Sequence, residues 1–182
     1  MSVDVFLLHA VNGLTGKSGA LDAFGIFSAV ILLPVLFLLL LPVTFSAKSP
    51  SHDDWWQFVL KASTAALVAY GFVRLIWLFV FRARPFLAFS DIKQLIAFSP
   101  ELNSFPSGHA SVAFALAFMV WRADRIWGIV FLILAALISL GRVFVGVHYP
   151  FDIVGGVLVG YLTAFTVRWI DERENGTTKR RM

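Results

Sequence analysis

Three short stretches of this 182-residue chain carry side chains suited to phosphate chemistry: "RARPF" at 82–86, "PSGH" at 106–109 and "GRVFVGVHYPFD" at 141–152. Arg84 and Arg142 are fixed cations whose planar forks match phosphate oxygens. Ser107 and Gly108 stand where a helix should start, after the extended entry set by Pro106. Free N–H groups and the positive end of the helix dipole make such a start an anion seat, and Gly108 lets the backbone approach closely. His109 and His148 exchange protons near neutral pH. Asp152 follows His148 by four residues across the Tyr149-Pro150 turn, a spacing that can hold the imidazole in one tautomer. Phosphoryl transfer needs these parts: neutralised oxygens, a nucleophile in line and an acid for the leaving oxygen. His109, His148 and Asp152 are also the donor types of a two-histidine, one-carboxylate metal site. The flanking arginines repel a cation and attract an anion, so no metal or cofactor is expected. A lone histidine in a membrane helix usually satisfies a local hydrogen bond, and a lone arginine at a span end usually snorkels to headgroups. The weight lies in all of them falling together. His9 and His52 have no such company and read as surface residues.

The elements that must position these residues are membrane helices. The chain is 59% hydrophobic and 14% charged, with a mean hydropathy of +0.82. A soluble domain carries roughly 25% charged residues and could not bury this much apolar surface in one core. Five spans are expected, at 23–47, 57–81, 109–121, 126 to 147 and 151–170, each to be set against the roughly 20 residues of a bilayer crossing. Pro34 and Pro42 should kink the first. Trp55 and Trp56 fall at an interfacial position. Gly156 and Gly160 are spaced for close helix packing. The tail from 171 is charged and expected to fray. Val3, Leu7, Ala10 and Leu14 form a helical stripe ahead of the spans, either an interfacial helix or an extra packing helix. With Asp4 and no basic n-region, this start does not read as a signal peptide. The fold class is therefore all-α: a single domain over 1–182, built as a polytopic bundle of five spans with an interfacial or sixth helix in front. The chain has no cysteine, which excludes disulfides and thiolate metal sites.

Alternating spans put the N-terminus, the 82–108 loop and the 147–151 turn on one face. That face holds Lys17, Arg82, Arg84, Lys93 and Arg142. The other holds Lys48, Lys61, Arg122, Arg125, Arg168, Arg173, Lys179, Arg180 and Arg181. The basic excess assigns the second face to the cytoplasm. The three motifs then share the extracytoplasmic side, and the C-terminus is cytoplasmic. The net charge of +4 follows membrane topology, and nucleic acid is not an expected partner.

The pattern "RARP…PSGH…GR-x5-H-x3-D" resembles the signature motifs of the type 2 phosphatidic acid phosphatase superfamily, over residues 74–165. The stretch "LHAVNGLTGKSGALDAF" is similar in style to the N-termini of its bacterial undecaprenyl-diphosphate phosphatases. The resemblance implies that His148 is the nucleophile that becomes phosphohistidine, that Asp152 orients it, and that His109 acts as acid and then base. Arg84, Ser107, Gly108 and Arg142 would bind phosphate without a metal. Two departures stand out. Trp77 occupies the place of the first motif's lysine, for which Arg82 is a possible substitute. Gly141 replaces the serine that usually opens the third motif. Arg74 falls roughly 15 Å deeper than Arg84 if the span is helical, or nearer an interface if that span is tilted. Glu101 and Asn103 either shape the mouth of the site or are exposed loop, and the second reading is preferred.

The expected function is a lipid phosphatase of the bacterial inner membrane. It would hydrolyse a polyprenyl (undecaprenyl) diphosphate to the monophosphate for reuse as an envelope carrier. Phosphatidylglycerophosphate, phosphatidic acid and lipid A are alternative substrates. A non-catalytic lipid-phosphate binder is the alternative of another class. The expected partners are the lipid substrate and the bilayer; the sequence does not give an oligomeric state.

Overall fold

A computed structural model describes residues 2–45, 55–97 and 102–179. Lys48, His52, Glu101, Arg180 and Arg181 lie outside them, as do the side chains of Trp55 and Lys179. The described chain is helical, with helices α1 (Val3–Asn12), α2 (Gly19–Val30), α3 (Leu32–Leu38), α4 (Leu40–Thr44), α5 (Trp55–Ile76), α6 (Pro85–Ala88), α7 (Gly108–Ala123), α8 (Arg125–Phe144) and α9 (Pro150–Lys179). Among the described residues the one departure towards strand is an isolated antiparallel bridge between Ala83 and Asn103.

The span expected at 23–47 starts earlier, at Gly19, and is broken twice. α2 stops at Val30 and α3 at Leu38, four residues before Pro34 and Pro42. A proline ring clashes with the carbonyl four residues earlier and offers it no N–H. Each break therefore falls one turn ahead of its proline, and the two arms of the span meet at 50°. Helices α5, α8 and α9 are long and apolar enough to cross a membrane, and the bent pair makes a fourth candidate. α7 has 16 residues, about 24 Å of helix, short of a full crossing. By length and apolarity the described residues thus give three spans, or four if the bent pair is one, against the five expected.

α7 is the centre of the bundle and packs on α5, α8 and α9. Gly156 and Gly160 make its contact with α9 possible. A side-chain carbon on Gly156 would lie 2.8 Å from the Ser107 carbonyl oxygen, and one on Gly160 would lie 2.6 Å from that of Ser111. The largest core cluster includes Leu116, Val120, Phe131 and Ile138. α7 and α8 meet at a corner of one residue. Asp124 ends α7 and caps α8, accepting from Ile126 N at 2.8 Å and Trp127 N at 3.1 Å. Gly128 permits this corner, since a Cβ there would lie 2.3 Å from Trp121 Cα.

Two termini differ from expectation. The tail does not fray at 171: α9 continues to Lys179. α1 packs on the bundle and keeps an apolar outer face. Its expected stripe of Val3, Leu7 and Leu14 faces outward, while Asp4, Leu8 and Asn12 are buried against the bundle.

Candidate active site

The three motifs converge at one end of the bundle. α5 ends at Ile76 rather than 81 because the chain beyond it pairs elsewhere. Asn103 Nδ2 donates to the Val80 carbonyl at 2.6 Å, Arg82 N donates to Asn103 Oδ1 at 3.0 Å, and Ser104 N donates to the Arg82 carbonyl at 2.8 Å. Asn103 is thus a buried organiser of the first motif and not an exposed loop residue. Arg74 consequently sits in the last turn of α5, with its guanidinium 5.1 Å from the Trp77 ring centroid. Trp77 donates its indole N–H to the Pro106 carbonyl at 3.3 Å. The residue standing in place of a lysine therefore braces the second motif, at the cis Phe105–Pro106 bond.

Arg84 caps the four-residue α6 and is fully buried. Its Nη1 donates to the Val147 carbonyl at 3.0 Å and lies 3.5 Å from His148 Nε2. Arg142 comes from the last turn of α8, buried, and donates to the Ala29 carbonyl of α2 at 3.3 Å. Gly141 allows that approach. A Cβ at 141 would lie 2.8 Å from Ala29 N and 2.9 Å from Ser28 Cβ, so the serine usual at this place would collide with α2. Ser28 brings a buried hydroxyl to the same spot, with no hydrogen-bond partner among the described residues.

Ser107 caps α7. Its side chain faces Ala110 N at 3.5 Å and its carbonyl accepts from Ser111 N at 3.0 Å. Its own N–H is held by the Asp152 carbonyl at 3.0 Å. The amides of Gly108 and His109, in the first turn, have no acceptor within the helix. Half-buried His109 lies within electrostatic reach of Arg142, His148 and Arg84.

His148 sits in the turn between α8 and α9. Its Nδ1 is 2.9 Å from the Ser104 carbonyl and 3.5 Å from Asp152 Oδ2. A carbonyl only accepts, so the ring proton resides on Nδ1 and the Nε2 lone pair points towards Arg84. Burial pushes this imidazole down to about 4, against the pull of Asp152 and with the help of Arg142 and Arg84. Asp152 is itself buried, its Oδ2 accepting from Tyr149 N at 2.8 Å and its Oδ1 from Arg82 Nη1 at 2.7 Å. Arg82, expected as a stand-in for the missing lysine, is turned to Asp152 and to Asp4. Among the described residues no three His, Cys, Asp or Glu side chains are grouped to share a metal ion.

Sequence reasoning missed the Ser104 carbonyl and the side chains of Asn103 and Asp4. It also misread His9, which is not a plain surface residue: its Nε2 pairs with Asp91 at 3.0 Å and its ring meets Phe89 edge-on.

Known proteins share both sequence and fold with this chain. It is 35% identical over 86 residues to the bacitracin transport permease protein BcrC of Bacillus licheniformis, covering 47% of this chain and 42% of that one. It is 28% identical over 165 residues to the undecaprenyl-diphosphatase BcrC of Bacillus subtilis, covering 91% and 81%. Among solved structures, LpxE of Aquifex aeolicus superposes with a TM-score of 0.72 at 24% identity, covering 92% of this chain and 95% of that one. The PAP2-type phosphatidylglycerolphosphate phosphatase of Bacillus subtilis gives 0.57 at 22% identity, covering 95% and 88%. The PAP2 superfamily model matches residues 58–175, the region that contains Arg84, both site histidines and Asp152, and the chain belongs to that superfamily.

Proposed function

We propose that the protein is a membrane lipid phosphatase that cleaves the terminal phosphate of a polyprenyl diphosphate through a phosphohistidine on His148. The observation that carries the phosphatase reading is the His148 ring: Nδ1 donates to Ser104, and the unprotonated Nε2 lies 3.5 Å from the Arg84 guanidinium. A nucleophile beside a phosphate-binding cation is the arrangement an in-line displacement needs.

Arg84, Arg142, Ser107 and the first-turn amides of α7, including Gly108, receive the terminal phosphate. Nε2 attacks phosphorus, the bond to the bridging oxygen breaks, and His109 gives that oxygen its proton. Polyprenyl monophosphate leaves. His109, now neutral, takes a proton from water; the hydroxide oxygen attacks the phosphohistidine, the P–N bond breaks and inorganic phosphate is released. The electrostatic parts are prebuilt in a buried site, where they act most strongly.

The choice of a diphosphate rests on the relative that covers 91% of this chain, named an undecaprenyl-diphosphatase. The excess of lysine and arginine on the opposite face supports an extracytoplasmic site and a cytoplasmic C-terminus. The test is phosphate release by the purified protein in detergent with EDTA, offered polyprenyl diphosphate, phosphatidylglycerophosphate, phosphatidic acid and lipid A side by side. Preference for the diphosphate is expected, with His148→Ala inactive on all four. Preference for another lipid moves the substrate and keeps the mechanism. Full activity of His148→Ala would sink the mechanism.

A further inference from the structure

Asp4 lies on α1, far from the site in sequence, is buried, and has no part in the mechanism above. Its carboxylate accepts from Arg82 Nη2 and, at 2.9 Å, from Phe151 N in the first turn of α9. The Arg82 guanidinium stacks 3.7 Å from the Tyr149 ring centroid and donates onward to Asp152 Oδ1. The other oxygen of Asp152 faces His148 Nδ1. The main chain of Arg82 reaches the same ring by a second route. Its carbonyl holds Ser104 N, and the Ser104 carbonyl is the closer acceptor of His148 Nδ1. Arg82 therefore fixes both groups that orient the histidine.

A buried carboxylate is costly unless paired. Capping the first turn of α9 needs only an acceptor, which a neutral asparagine supplies. The charge at position 4 has a different effect. It divides the Arg82 guanidinium between two carboxylates, so that Asp152 keeps negative charge for His148. The fork geometry of arginine suits this bridging role, and a lysine would not reproduce it.

We propose that Asp4 and Arg82 are positioning residues: Asp4 anchors the Arg82 guanidinium, and Arg82 holds Asp152 and Ser104 so that His148 presents Nε2 to phosphate. The inference rests on His148 being the nucleophile. It makes the N-terminal helix part of the catalytic apparatus.

The test compares Asp4→Asn, Arg82→Gln and the double variant with the parent protein in detergent. Arg82→Gln should lower kcat about 10- to 100-fold, the loss expected when a reacting group is misplaced. Asp4→Asn should lower it less, and the double variant should cost no more than Arg82→Gln alone. KM and the inhibition constant of inorganic phosphate should stay at parent values. A raised phosphate inhibition constant in Arg82→Gln would make Arg82 a phosphate ligand and overturn the inference. Parent-level kcat in Asp4→Asn would also overturn it. So would a kcat loss that only follows the folded fraction measured by thermal unfolding. A second measurement needs no turnover: nitrogen NMR of histidine-labelled protein should find the His148 proton on Nδ1 and see that resonance move in both variants. An unmoved resonance in both rejects the inference even where the substrate assignment holds. Absence of phosphate release by the parent rejects the phosphatase reading separately.

Discussion

At the scale of single residues the site turns on which nitrogen of His148 is free. The Ser104 carbonyl answers that, and no side-chain motif announces it, because a backbone acceptor leaves no mark in the sequence. The motif side chains were legible from type and spacing, and the structure brings Arg84, His148 and Asp152 into contact. Asp4 was not legible. Its partner is 78 residues away, and alone it read only as evidence against a signal peptide. Burial has a kinetic consequence. His148 is held near 4, below the usual 6.5, so Nε2 stays unprotonated through neutral pH. On the proposed mechanism protonation removes the nucleophile, so the acid limb of kcat/KM should fall near pH 4, with no loss between pH 8 and 6 from this group. A pH profile of the free enzyme checks this, and an acid limb at 6.5 would contradict the burial seen here.

At the scale of elements, sequence signals that act locally were dependable and those that act across the chain were not. Pro34 and Pro42 forecast two breaks, and each appears one turn early for a steric reason. The end of α5 was misplaced because residues 80–83 pair with 103–104, a contact between segments that periodicity cannot show. Gly141 was first read as a lost hydroxyl. The structure makes it the condition for α2 to approach α8 and for the Ala29 carbonyl to hold Arg142. Gly141→Ser should therefore impair the protein, although it restores the usual motif. Overpacking against backbone costs about 1–3 kcal/mol. Thermal unfolding in detergent should show a lower Tm, and kcat should not rise.

At the scale of the whole molecule the outer surface is apolar and the polar machinery is inside, as lipid as solvent requires. Leu67, Leu78, Phe79 and Phe81 are each at least 70% exposed, which water would penalise and acyl chains do not. The all-α class was legible from composition together with the long apolar runs. The number of spans was less so: the sequence counts 109–121 as a span, and α7 at 16 residues is short of a full crossing. Orientation is directly testable in this cysteine-free chain. With Ser90→Cys and Arg125→Cys introduced singly, a membrane-impermeant maleimide should label intact cells at position 90 and leave 125 unlabelled until lysis. The reverse pattern would invert the assignment. α7 and α8 also form a pair of arms joined by Asp124, one beginning at the proposed phosphate seat and the other ending near Arg142. The instrument this describes is a caliper. On the proposed function the gap between its tips receives the phosphate, and it is set at a joint about 24 Å away, where Gly128 packs against Trp121. On that proposal, side chains that never meet substrate gauge its size.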